Sequence, residues 1–429
     1  MNRVVVLGAG IGGVVQAFEL REQLPPGWTV AVINDGPRFE FTPSNPWVAV
    51  GWRKPDQITV DLTEVFGRLG IEFHPHAATR VHPEENRIEL ADGSSVEYNY
   101  LVVATGPKLA FDEVPGLGPD GGFTQSICKT DHAARAWRDV EALAANPGPV
   151  IVGAVAGASC FGPAYEYAFI LDRELKRRGI RDRVPMTYIT PEPYIGHLGL
   201  DGVGDTKSLL ESELREEYIH WMTNTRIDAV EDGRMKVTCV NENGEEQPQQ
   251  ELEFRHAMIL PAFKGVDALA DIEGLVNPRG FVLIDDHQRN PKYPNIFGVG
   301  VCVAIPPVGK TPLPVGVPKT GYMIESMVGA TTANIGQLIR DEAPTHTATW
   351  NAICLADFGH TGVAFVALPQ IPPRNTNWSS RGRWVHLAKV GFEKYFLHKV
   401  RRGKTESAYE RLSLLMLGAR RVRPRNKAA

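Results

Sequence analysis

The stretch that decides the fold is Val4-Val5-Val6-Leu7-Gly8-Ala9-Gly10-Ile11-Gly12-Gly13, at the start of the chain. Its four apolar residues predict a buried strand, and Gly8, Gly10 and Gly13 have the spacing G-x-G-x-x-G. The first glycine permits a tight turn, the second lets backbone approach a pyrophosphate, and the third lets helix and strand pack closely. A helical pattern and a second strand at Thr29–Ile33 follow. We therefore predict a Rossmann βαβ unit that binds a dinucleotide.

Length and composition are those of a globular enzyme. The 429 residues suggest two or three domains, with 43% hydrophobic and 22% charged residues. No apolar run approaches the roughly 18 residues that a membrane-spanning helix needs. Because Asn2-Arg3 leads directly into the first strand, we expect no cleaved signal peptide.

Charge is unevenly distributed along the chain. From Arg381 to the end, fourteen Lys and Arg residues face three Glu, a net charge of +11, although the whole chain carries −4. A basic tail of this kind predicts an anionic partner, either nucleic acid or lipid headgroups. Aromatic residues in the same segment favour a lipid surface over nucleic acid.

A second strand–loop–helix pattern lies in the middle of the chain. A strand at 149–152 leads into a glycine-containing loop, a helix at about 162–178 and a strand at 186–190. In the loop, Val155 stands where a second glycine would let a pyrophosphate approach, and no acidic residue ends the following strand. We infer a Rossmann-like unit that kept its fold and lost the ability to bind a nicotinamide dinucleotide.

The fold class predicted is α/β, with two Rossmann-like domains and a C-terminal membrane-associated region of amphipathic helices. The N-terminal Rossmann domain is expected at 1–115, the degenerate second unit at 116–275, a return segment to the first domain at 276–340, and the C-terminal region at 341–429. A strand at 295–300 and a helix at about 322–340 support the return segment.

Five cysteines in so long a chain do not make a disulfide scaffold, and none forms a C-x2-C metal-binding pair. Cys160 stands at the beginning of the second unit's helix. A helix N-terminus favours the thiolate, which predicts a lowered thiol pKa and a reactive cysteine. The alternative for a single cysteine is a small buried residue.

Several long blocks of the sequence resemble the bacterial sulfide:quinone oxidoreductases, which are flavoproteins with two dinucleotide-binding domains. The resemblance runs from end to end. The blocks are 41–47 (FTPSNPW), 125–128 (QSIC), 153–167 (GAVAGASCFGPAYEY), 192–198 (EPYIGHL), 318–325 (PKTGYMIE) and 382–389 (GRWVHLAK).

This resemblance implies that Cys160 and Cys354 form a redox-active pair beside FAD. Cys128 would be a third family cysteine, with a role in sulfur relay or flavin attachment, and Cys239 and Cys302 would be structural. The implied substrates are sulfide, which is oxidised to polysulfide, and a membrane quinone of the ubiquinone or menaquinone type.

Other site residues are candidates with open alternatives. His132, His197 and Glu166 are candidates for proton transfer, against the alternatives of ordinary histidines and a solvated helix carboxylate. Val301 stands where many relatives have an Asp that meets the ribitol. The residues expected to bind FAD are Gly8, Gly10, Gly13, Asn34, Asp35, Ala78, Thr105, Gly106, Gly300 and Lys319.

The C-terminal segment repeats apolar and aromatic residues at helical spacing, from Trp384 to Phe396, with Lys389, Glu393 and Lys399 mostly elsewhere. This pattern is typical of a helix lying in a membrane interface, and the alternative is a core-packing helix with a basic exposed face. The resemblance implies a monotopic protein of the bacterial inner membrane and leaves a homodimer or a homotrimer open. The aromatic residues expected around the quinone are Phe41, Phe358, Phe392 and Tyr409.

Three other functions compete with this one. A flavocytochrome-type sulfide dehydrogenase shares cysteines and fold but is exported, which the expected lack of a signal peptide disfavours. A type II NADH dehydrogenase needs an intact second glycine fingerprint. A flavin-binding sensor without turnover would not need cysteines at two distant matching positions.

Overall fold

The computed structural model of the protein describes residues 2–405. Its eight helices there are α1 (Ile11–Gln23), α2 (Asn45–Val48), α3 (Leu62–Leu69), α4 (Thr130–Ala145), α5 (Gly162–Arg177), α6 (Thr206–Glu216), α7 (Gly321–Ile339) and α8 (Arg383–Arg402).

The strands of the same residues fall into two groups along the chain. Those before α5 are β1 (Arg3–Leu7), β2 (Thr29–Ile33), β3 (Arg38–Glu40), β4 (Thr59–Asp61), β5 (Glu72–His74), β6 (Ala78–His82), β7 (Arg87–Leu90), β8 (Ser95–Glu97), β9 (Tyr100–Val103), β10 (Lys108–Leu109) and β11 (Val150–Ala154). Those after α5 are β12 (Met186–Ile189), β13 (Ile219–Met222), β14 (Thr225–Glu231), β15 (Arg234–Cys239), β16 (Gln250–Glu253), β17 (His256–Leu260), β18 (Phe263–Lys264), β19 (Ile296–Gly298), β20 (Ala352–Asp357), β21 (Gly362–Leu368) and β22 (Thr376–Arg381).

The first sheet is parallel and has the strand order β19-β9-β1-β2-β5. Strand β1, helix α1 and strand β2 form the predicted βαβ unit, and α1 begins at Ile11, directly after Gly10. Strand β19 pairs with β9, so the chain returns to this sheet after the second unit. The predicted N-terminal Rossmann unit and its return strand are confirmed.

The second sheet is also parallel, with the order β13-β12-β11-β17. Helix α5 connects β11 to β12, which confirms the second βαβ unit. Smaller antiparallel sheets flank the two, namely β3-β4, β6-β7-β8, β10-β18 and β14-β15-β16. The limits of the four domains named above stay predictions.

The C-terminal region differs from the prediction of amphipathic helices alone. Before α8 the chain forms a three-stranded antiparallel sheet, β20-β21-β22. Strand β21 is buried along its whole length, and such a short apolar run does not reveal its periodicity. Helices α5, α7 and α8 all pack against β20. In residues 2–405, no helix has both the length and the hydropathy that a bilayer crossing requires.

One large hydrophobic cluster joins the three parts of the molecule. It contains Val15 of α1, Phe169 of α5, Met327 of α7, Ala352 of β20 and Phe396 of α8. The elements that carry the redox candidates therefore pack around a common core.

Candidate active site

The first part of the site is the edge where the parallel strands of the first sheet end. The amide of Gly8 donates to the carbonyl of Ile33 (2.7 Å), and the amide of Ala104 donates to that of Leu7 (2.8 Å). The amide of Val299 donates to Val103 (2.9 Å). The loops after β1, β2, β9 and β19 thus converge, which is where open α/β sheets bind ligands.

The three fingerprint glycines have different surroundings. Gly8 has φ +105°, and a Cβ there would lie 2.5 Å from the carbonyl oxygen of Ala104. A Cβ on Gly13 would lie 1.9 Å from the carbonyl oxygen of Gly8, so these two glycines are required by packing. Gly10 has no atom within 4 Å of such a Cβ, and no acidic residue stands in the first turn of α1. Open space at a free helix N-terminus fits the pyrophosphate of FAD.

Asn34 and Asp35 follow β2 beside these glycines. The Asn34 side chain accepts from the amide of Ala9 (2.8 Å) and donates to the carbonyl of Gly36 (2.9 Å). Asp35 is exposed. Asn34 therefore holds the glycine turn in place, which leaves Asp35 as the side chain free to face a ribose.

Lys319 lies just before α7, the helix that packs against α1. The N-cap residue Thr320 makes no side-chain capping bond, so the first amides of α7 are not capped. Burial lowers the pKa of Lys319 to about 8, and the charges of Cys302 and Cys160 oppose that shift. A cation and a helix N-terminus at one place suit the negative charge of a reduced flavin.

Of the remaining residues predicted to bind FAD, Thr105 and Gly106 follow β9, Gly300 follows β19, and Ala78 begins β6. Gly106 and Gly300 both have a positive φ, of +66° and +83°. A Cβ on Gly106 would have no other atom within 4 Å. Thr105 lies within hydrogen-bonding reach of the Cys302 thiol. Ala78 is half-buried at the start of β6. Their contacts with FAD stay predictions.

The corresponding loop of the second unit is closed by protein backbone. The amide of Gly157 donates to the carbonyl of Pro314 (2.7 Å), and the amide of Gly316 donates to that of Ala158 (2.9 Å). A pyrophosphate needs free loop amides, and here the segment that contains Pro314 occupies one of them. This agrees with the inference that the second unit lost nicotinamide.

Two of the candidate cysteines occupy equivalent positions. Cys128 and Cys160 each stand one residue before the N-cap of a helix, Lys129 for α4 and Phe161 for α5. Cys354 comes from the C-terminal sheet, where it lies in β20 opposite Phe365. All three thiols are free in the structure.

These three cysteines are coupled electrostatically through Cys160. The charge of Cys128 raises the pKa of Cys160, and the charge of Cys160 raises the pKa of Cys354, which places each pair within electrostatic reach. We call this the cysteine cluster. Its members Cys160 and Cys354 lie 194 positions apart in the sequence.

The prediction of a lowered thiol pKa at Cys160 is wrong. Burial raises the pKa of Cys160 to about 12, the charges of Cys128 and Glu166 add to this, and Lys319 only partly opposes it. Burial likewise raises the pKa of Cys128 to about 11 and that of Cys354 further still. Removal of water from the thiolate outweighs the helix N-terminus at this depth.

The other two cysteines are bonded elsewhere. Cys239 of β15 contacts the hydroxyl of Thr225 at 3.3 Å. Cys302 is buried and donates to the carbonyls of Val103 and Val299, both at 3.2 Å. The structural role expected for Cys239 and Cys302 is consistent with these contacts.

Glu166 is not the solvated helix carboxylate that the sequence left open. It is buried on α5 and forms an ion pair with Lys389 of α8. Burial raises the pKa of Glu166 to about 7, Lys389 opposes this shift, and Asp357 adds to it. A carboxyl group with this pKa can accept and release protons near neutral pH.

The two candidate histidines are buried. Burial lowers the pKa of His132, whose Nε2 lies 3.7 Å from Asp120. Burial also lowers the pKa of His197, whose Nδ1 accepts from the amide of Gly199 (3.2 Å). Within residues 2–405 neither imidazole hydrogen-bonds a cysteine, so their proton-transfer roles stay predictions.

Two of the four aromatic residues predicted around the quinone contact each other. Phe41 lies 5.7 Å from Phe392 and 5.3 Å from Phe396, measured between ring centroids. Phe358 makes its ring contact elsewhere, with Phe169 at 4.1 Å. Tyr409 lies outside the described residues. Of the residues that the structure describes, Phe41, Phe392 and Phe396 contact one another and are called the aromatic cluster, and Phe39 stacks on Phe396 at 6.0 Å.

Helix α8 has apolar residues on both sides: Val385, Phe396, Leu397 and Val400 are buried against the core. Trp384, Leu387 and Phe392 are exposed, as is Trp378 on β22. Lys389, Glu393 and Lys399 are buried, where they pair with Glu166, Arg53 and Glu325. The helix thus packs against the core and also exposes both apolar and basic residues, so the interfacial and the core-packing interpretations both stay predictions.

Comparisons with known proteins agree with this arrangement. Residues 2–323 match the family described as "Pyridine nucleotide-disulphide oxidoreductase". The sulfide-quinone reductase of Aquifex aeolicus is 43% identical over 411 residues, which cover 95% of this chain and 93% of that protein. The chain belongs to the sulfide-quinone reductase family.

Structural comparison extends the match to the whole fold of this family. The X-ray structure of the sulfide:quinone oxidoreductase from Aquifex aeolicus has a TM-score of 0.94 and 41% identity, covering 99% of this chain and 97% of that one. The structure of NDH2 from Plasmodium falciparum in complex with NADH has a TM-score of 0.71 at 14% identity, covering 98% and 100%. The second likeness shows only a common fold.

Sequence reasoning missed two features of this sulfide-quinone reductase family member. It named Phe396 in the apolar stripe but not in the aromatic cluster, and it placed Lys389 and Glu393 on the polar surface. A signal was present: Val385, Lys389, Glu393 and Leu397 recur every fourth residue, which marks one face of the helix.

Proposed function

We propose that this protein oxidises sulfide at the cysteine cluster and passes the electrons through FAD to a quinone. The observation that supports the proposal is the electrostatic coupling of Cys160 to Cys128, Cys354 and Lys319. Membership of the sulfide-quinone reductase family supports the same substrates. The protein is a flavoprotein that uses FAD.

Sulfur chemistry is assigned to Cys160 and Cys354. Hydrosulfide attacks a disulfide or polysulfide bridge between them, so that one S–S bond forms, another breaks, and the electron pair leaves on the displaced sulfur. One cysteine then carries a persulfide and the other a thiolate; removal of two electrons joins them in a longer sulfur bridge, which the next hydrosulfide attacks. FAD, when bound, would supply the acceptor for these two electrons, with the quinone as the final acceptor.

Lys319 and the N-terminus of α7 have a fixed role in this proposal. Lys319 lies within electrostatic reach of Cys160 and Cys302, so it stands between the sulfur chemistry and the strand ends of the FAD site. Its positive charge stabilises negative charge that develops there. The nucleotide end of FAD is assigned to Gly8, Gly10, Gly13 and Asp35.

Protons for the quinone come from the interior pair of Glu166 and Lys389. Both side chains are buried next to Asp357, and the ammonium of Lys389 lies 5.4 Å from the Trp47 ring. Glu166, with its pKa raised to about 7, exchanges protons near neutral pH. The quinone ring itself is assigned to Phe41, Phe392 and Phe396, because aromatic faces bind planar rings.

A lipid surface is the partner of α8. Trp384, Leu387 and Phe392 expose a continuous apolar strip, with Arg383 and Lys394 also exposed on the helix. Apolar side chains flanked by cations bind the interface of an anionic bilayer. The strip lies on the helix that contributes to the aromatic cluster, so quinone reaches its site directly from the membrane.

The test is anaerobic addition of sulfide to the purified protein with decyl-ubiquinone. We expect sulfide to bleach the flavin absorbance and quinone to restore it, while NADH has no effect on either. If NADH bleaches the flavin and sulfide does not, the proposal is wrong.

A further inference from the structure

The position of the Lys319 charge depends on the backbone that carries it. The ammonium lies 5.2 Å from the centre of the Phe281 ring, and within residues 2–405 it forms neither a hydrogen bond nor an ion pair. The stem of a lysine is flexible, so its charge stays in one place only where the segment around it is fixed. The contacts of the residues beside Lys319 therefore decide where this charge lies.

Gln370 makes those contacts from the C-terminal region. Its side-chain amide donates to the carbonyl of Pro318 (2.5 Å), and its side-chain oxygen accepts from the hydroxyl of Thr320 at the longer distance of 3.5 Å. Pro318 and Thr320 are the residues on either side of Lys319. One glutamine side chain, which is 0% exposed, thus bonds both neighbours of the lysine.

The backbone of Gln370 is fixed as well. Its amide donates to the carbonyl of Trp350 (2.7 Å), and its carbonyl accepts from Nε of Arg374 (3.0 Å). Arg374 also donates from Nη1 to the carbonyl of Gly202 (2.8 Å). Supporting hydrogen bonds of this kind lock the rotamer of a residue that holds a functional group. The chain that follows β21 is therefore a firm support for the segment 318–320.

A purely structural glutamine of the same region differs from Gln370 in its neighbours. Gln337 on α7 is also buried, and its side chain donates to the hydroxyl of Thr345 (2.9 Å) and accepts from the amide of Thr345 (3.0 Å). At about 1.5 Å per residue, roughly 24 Å of helix separate it from Gly321 at the start of α7. Both glutamines fix loops, but only the bonds of Gln370 flank the cation assigned to the flavin.

We propose that Gln370 is a positioning residue that holds the Lys319 ammonium at the flavin edge where negative charge develops on reduction. The inference rests on the proposed function, which assigns Lys319 to that charge. Gln370 acts through Lys319 and takes no part in the chemistry. The proposal adds a residue of the C-terminal region to the flavin site.

The expected effect follows from electrostatics. The attraction between two charges falls as they move apart, and a preorganised cation is worth more in a buried site than in water. Without the donor at position 370, the Pro318 carbonyl loses its hydrogen bond and the lysine loses the support of its segment. The reduced, negatively charged flavin is then stabilised less, so its reduction becomes less favourable.

The experiment equilibrates the FAD-containing enzyme with a redox dye of known potential under anaerobic conditions. At a fixed dye potential, the ratio of reduced to oxidised flavin should fall about 10-fold or more in K319M, which is about 30 mV for two electrons. In Q370M it should fall about 5-fold. In the double variant K319M/Q370M the ratio should equal that of K319M, because Gln370 acts through the lysine.

Q337M is the matched control. It removes the side-chain hydrogen bonds of an equally buried glutamine at the far end of α7, so it should lose stability as Q370M does and keep the wild-type flavin ratio. T320V is the second variant if Q370M does not retain FAD. The Thr320 hydroxyl donates to Gln370 and makes no capping bond to α7, so T320V should lower the ratio without loosening the helix.

A wild-type flavin ratio in Q370M overturns the proposal, as does a wild-type ratio in T320V if Q370M lacks FAD. An equal decrease on adding Q370M to K319M also overturns it, since Gln370 would then act without the lysine. So does a decrease in Q337M as large as that in Q370M. Reduction by a dye needs neither sulfide nor quinone, so these results are separate from the proposed function. That function fails if sulfide does not reduce the flavin of the wild-type protein.

Discussion

Glu166 and Lys389 form a buried ion pair that joins the helix beginning beside Cys160 to the C-terminal helix. Glu166 is on α5 and Lys389 on α8, and each side chain is less than a tenth exposed. The outer face of α8 carries the exposed apolar strip. One pair of side chains therefore connects the redox site, the aromatic cluster and the surface proposed to meet lipid.

Replacing Lys389 by Met should raise the pKa of Glu166. Lys389 lowers the pKa of Glu166, so its loss raises that pKa further above 7 and moves the pH profile of quinone reduction about 1–2 pH units to the alkaline side. K394M, which alters an exposed lysine of the same helix, should leave the profile unchanged. A profile that K389M does not move would exclude Glu166 from proton delivery.

The same variant should cost stability in a pH-dependent way. With its pKa raised about 1–2 units further, Glu166 takes up a proton on folding at pH 8, so K389M lowers the free energy of unfolding by about 1–2 kcal/mol more at pH 8 than at pH 5. At pH 5 the carboxyl group is protonated and the cost is smaller. Chemical denaturation at both pH values measures the difference, and an equal loss at both would contradict the buried pair.

Replacing Cys354 by Ala should stop the reduction of the flavin by sulfide while FAD stays bound. Loss of a reacting nucleophile acts on the order of 10³-fold or more. Rapid-mixing absorbance of the flavin gives the rate, and the flavin content of the purified variant gives the retention. C239A, whose thiol contacts Thr225, should react like the wild type. Sulfide-driven turnover in C354A would remove this cysteine from the redox pair.

Alanine variants of two fingerprint glycines should have different effects, because Gly13 is needed for packing and Gly10 for FAD binding. In G13A the new Cβ meets the Gly8 carbonyl, and we expect about 1–3 kcal/mol or more of lost stability. In G10A the new Cβ meets no protein atom, so the apoprotein should melt as the wild type does while FAD binds more weakly. Thermal unfolding of apoprotein and flavin titration test both. Equal FAD affinity in G10A would show that the pyrophosphate lies elsewhere.

Glu192 should make stability depend on pH. Its pKa is raised from 4.5 to about 7 in the folded protein, so folding favours its protonated form. Its contribution is complete below about pH 4.5 and is lost as pH rises through 7, by roughly 3 kcal/mol in total. The difference in unfolding free energy between wild type and E192Q should follow this course. A difference that stays constant from pH 5 to 8 would be inconsistent with a buried titrating carboxyl group.

Replacing Leu387 by Asp should weaken binding to vesicles of anionic lipid. Leu387 is 69% exposed at the centre of the apolar strip, and a carboxylate there resists entry into the interface. We expect at least about a 10-fold weaker partition in co-sedimentation, with flavin reduction by sulfide unchanged. Y218D changes a residue that is 84% exposed away from α8 and should bind as the wild type does. Equal binding of L387D would refute the assignment of this face.

Local patterns in the sequence predicted the βαβ units well. Gly8, Gly10 and Gly13 between two apolar strands specify a turn whose geometry depends on neighbours within a few residues. The same holds for the strand at Ile296–Gly298 and the helix at Gly321–Ile339. The sheet β20-β21-β22 was not predicted, because its pairing depends on contacts between strands rather than on local periodicity.

What the sequence by itself determined is the set of local elements and the family blocks around the cysteines. Only the tertiary structure decided which face of α8 is buried, because the partners of Lys389 and Glu393 come from distant segments. It also decided the protonation of Cys160, where burial outweighs the helix N-terminus. Solvation and long-range charge depend on all the atoms around a group, and neighbours along the chain supply only a few of them.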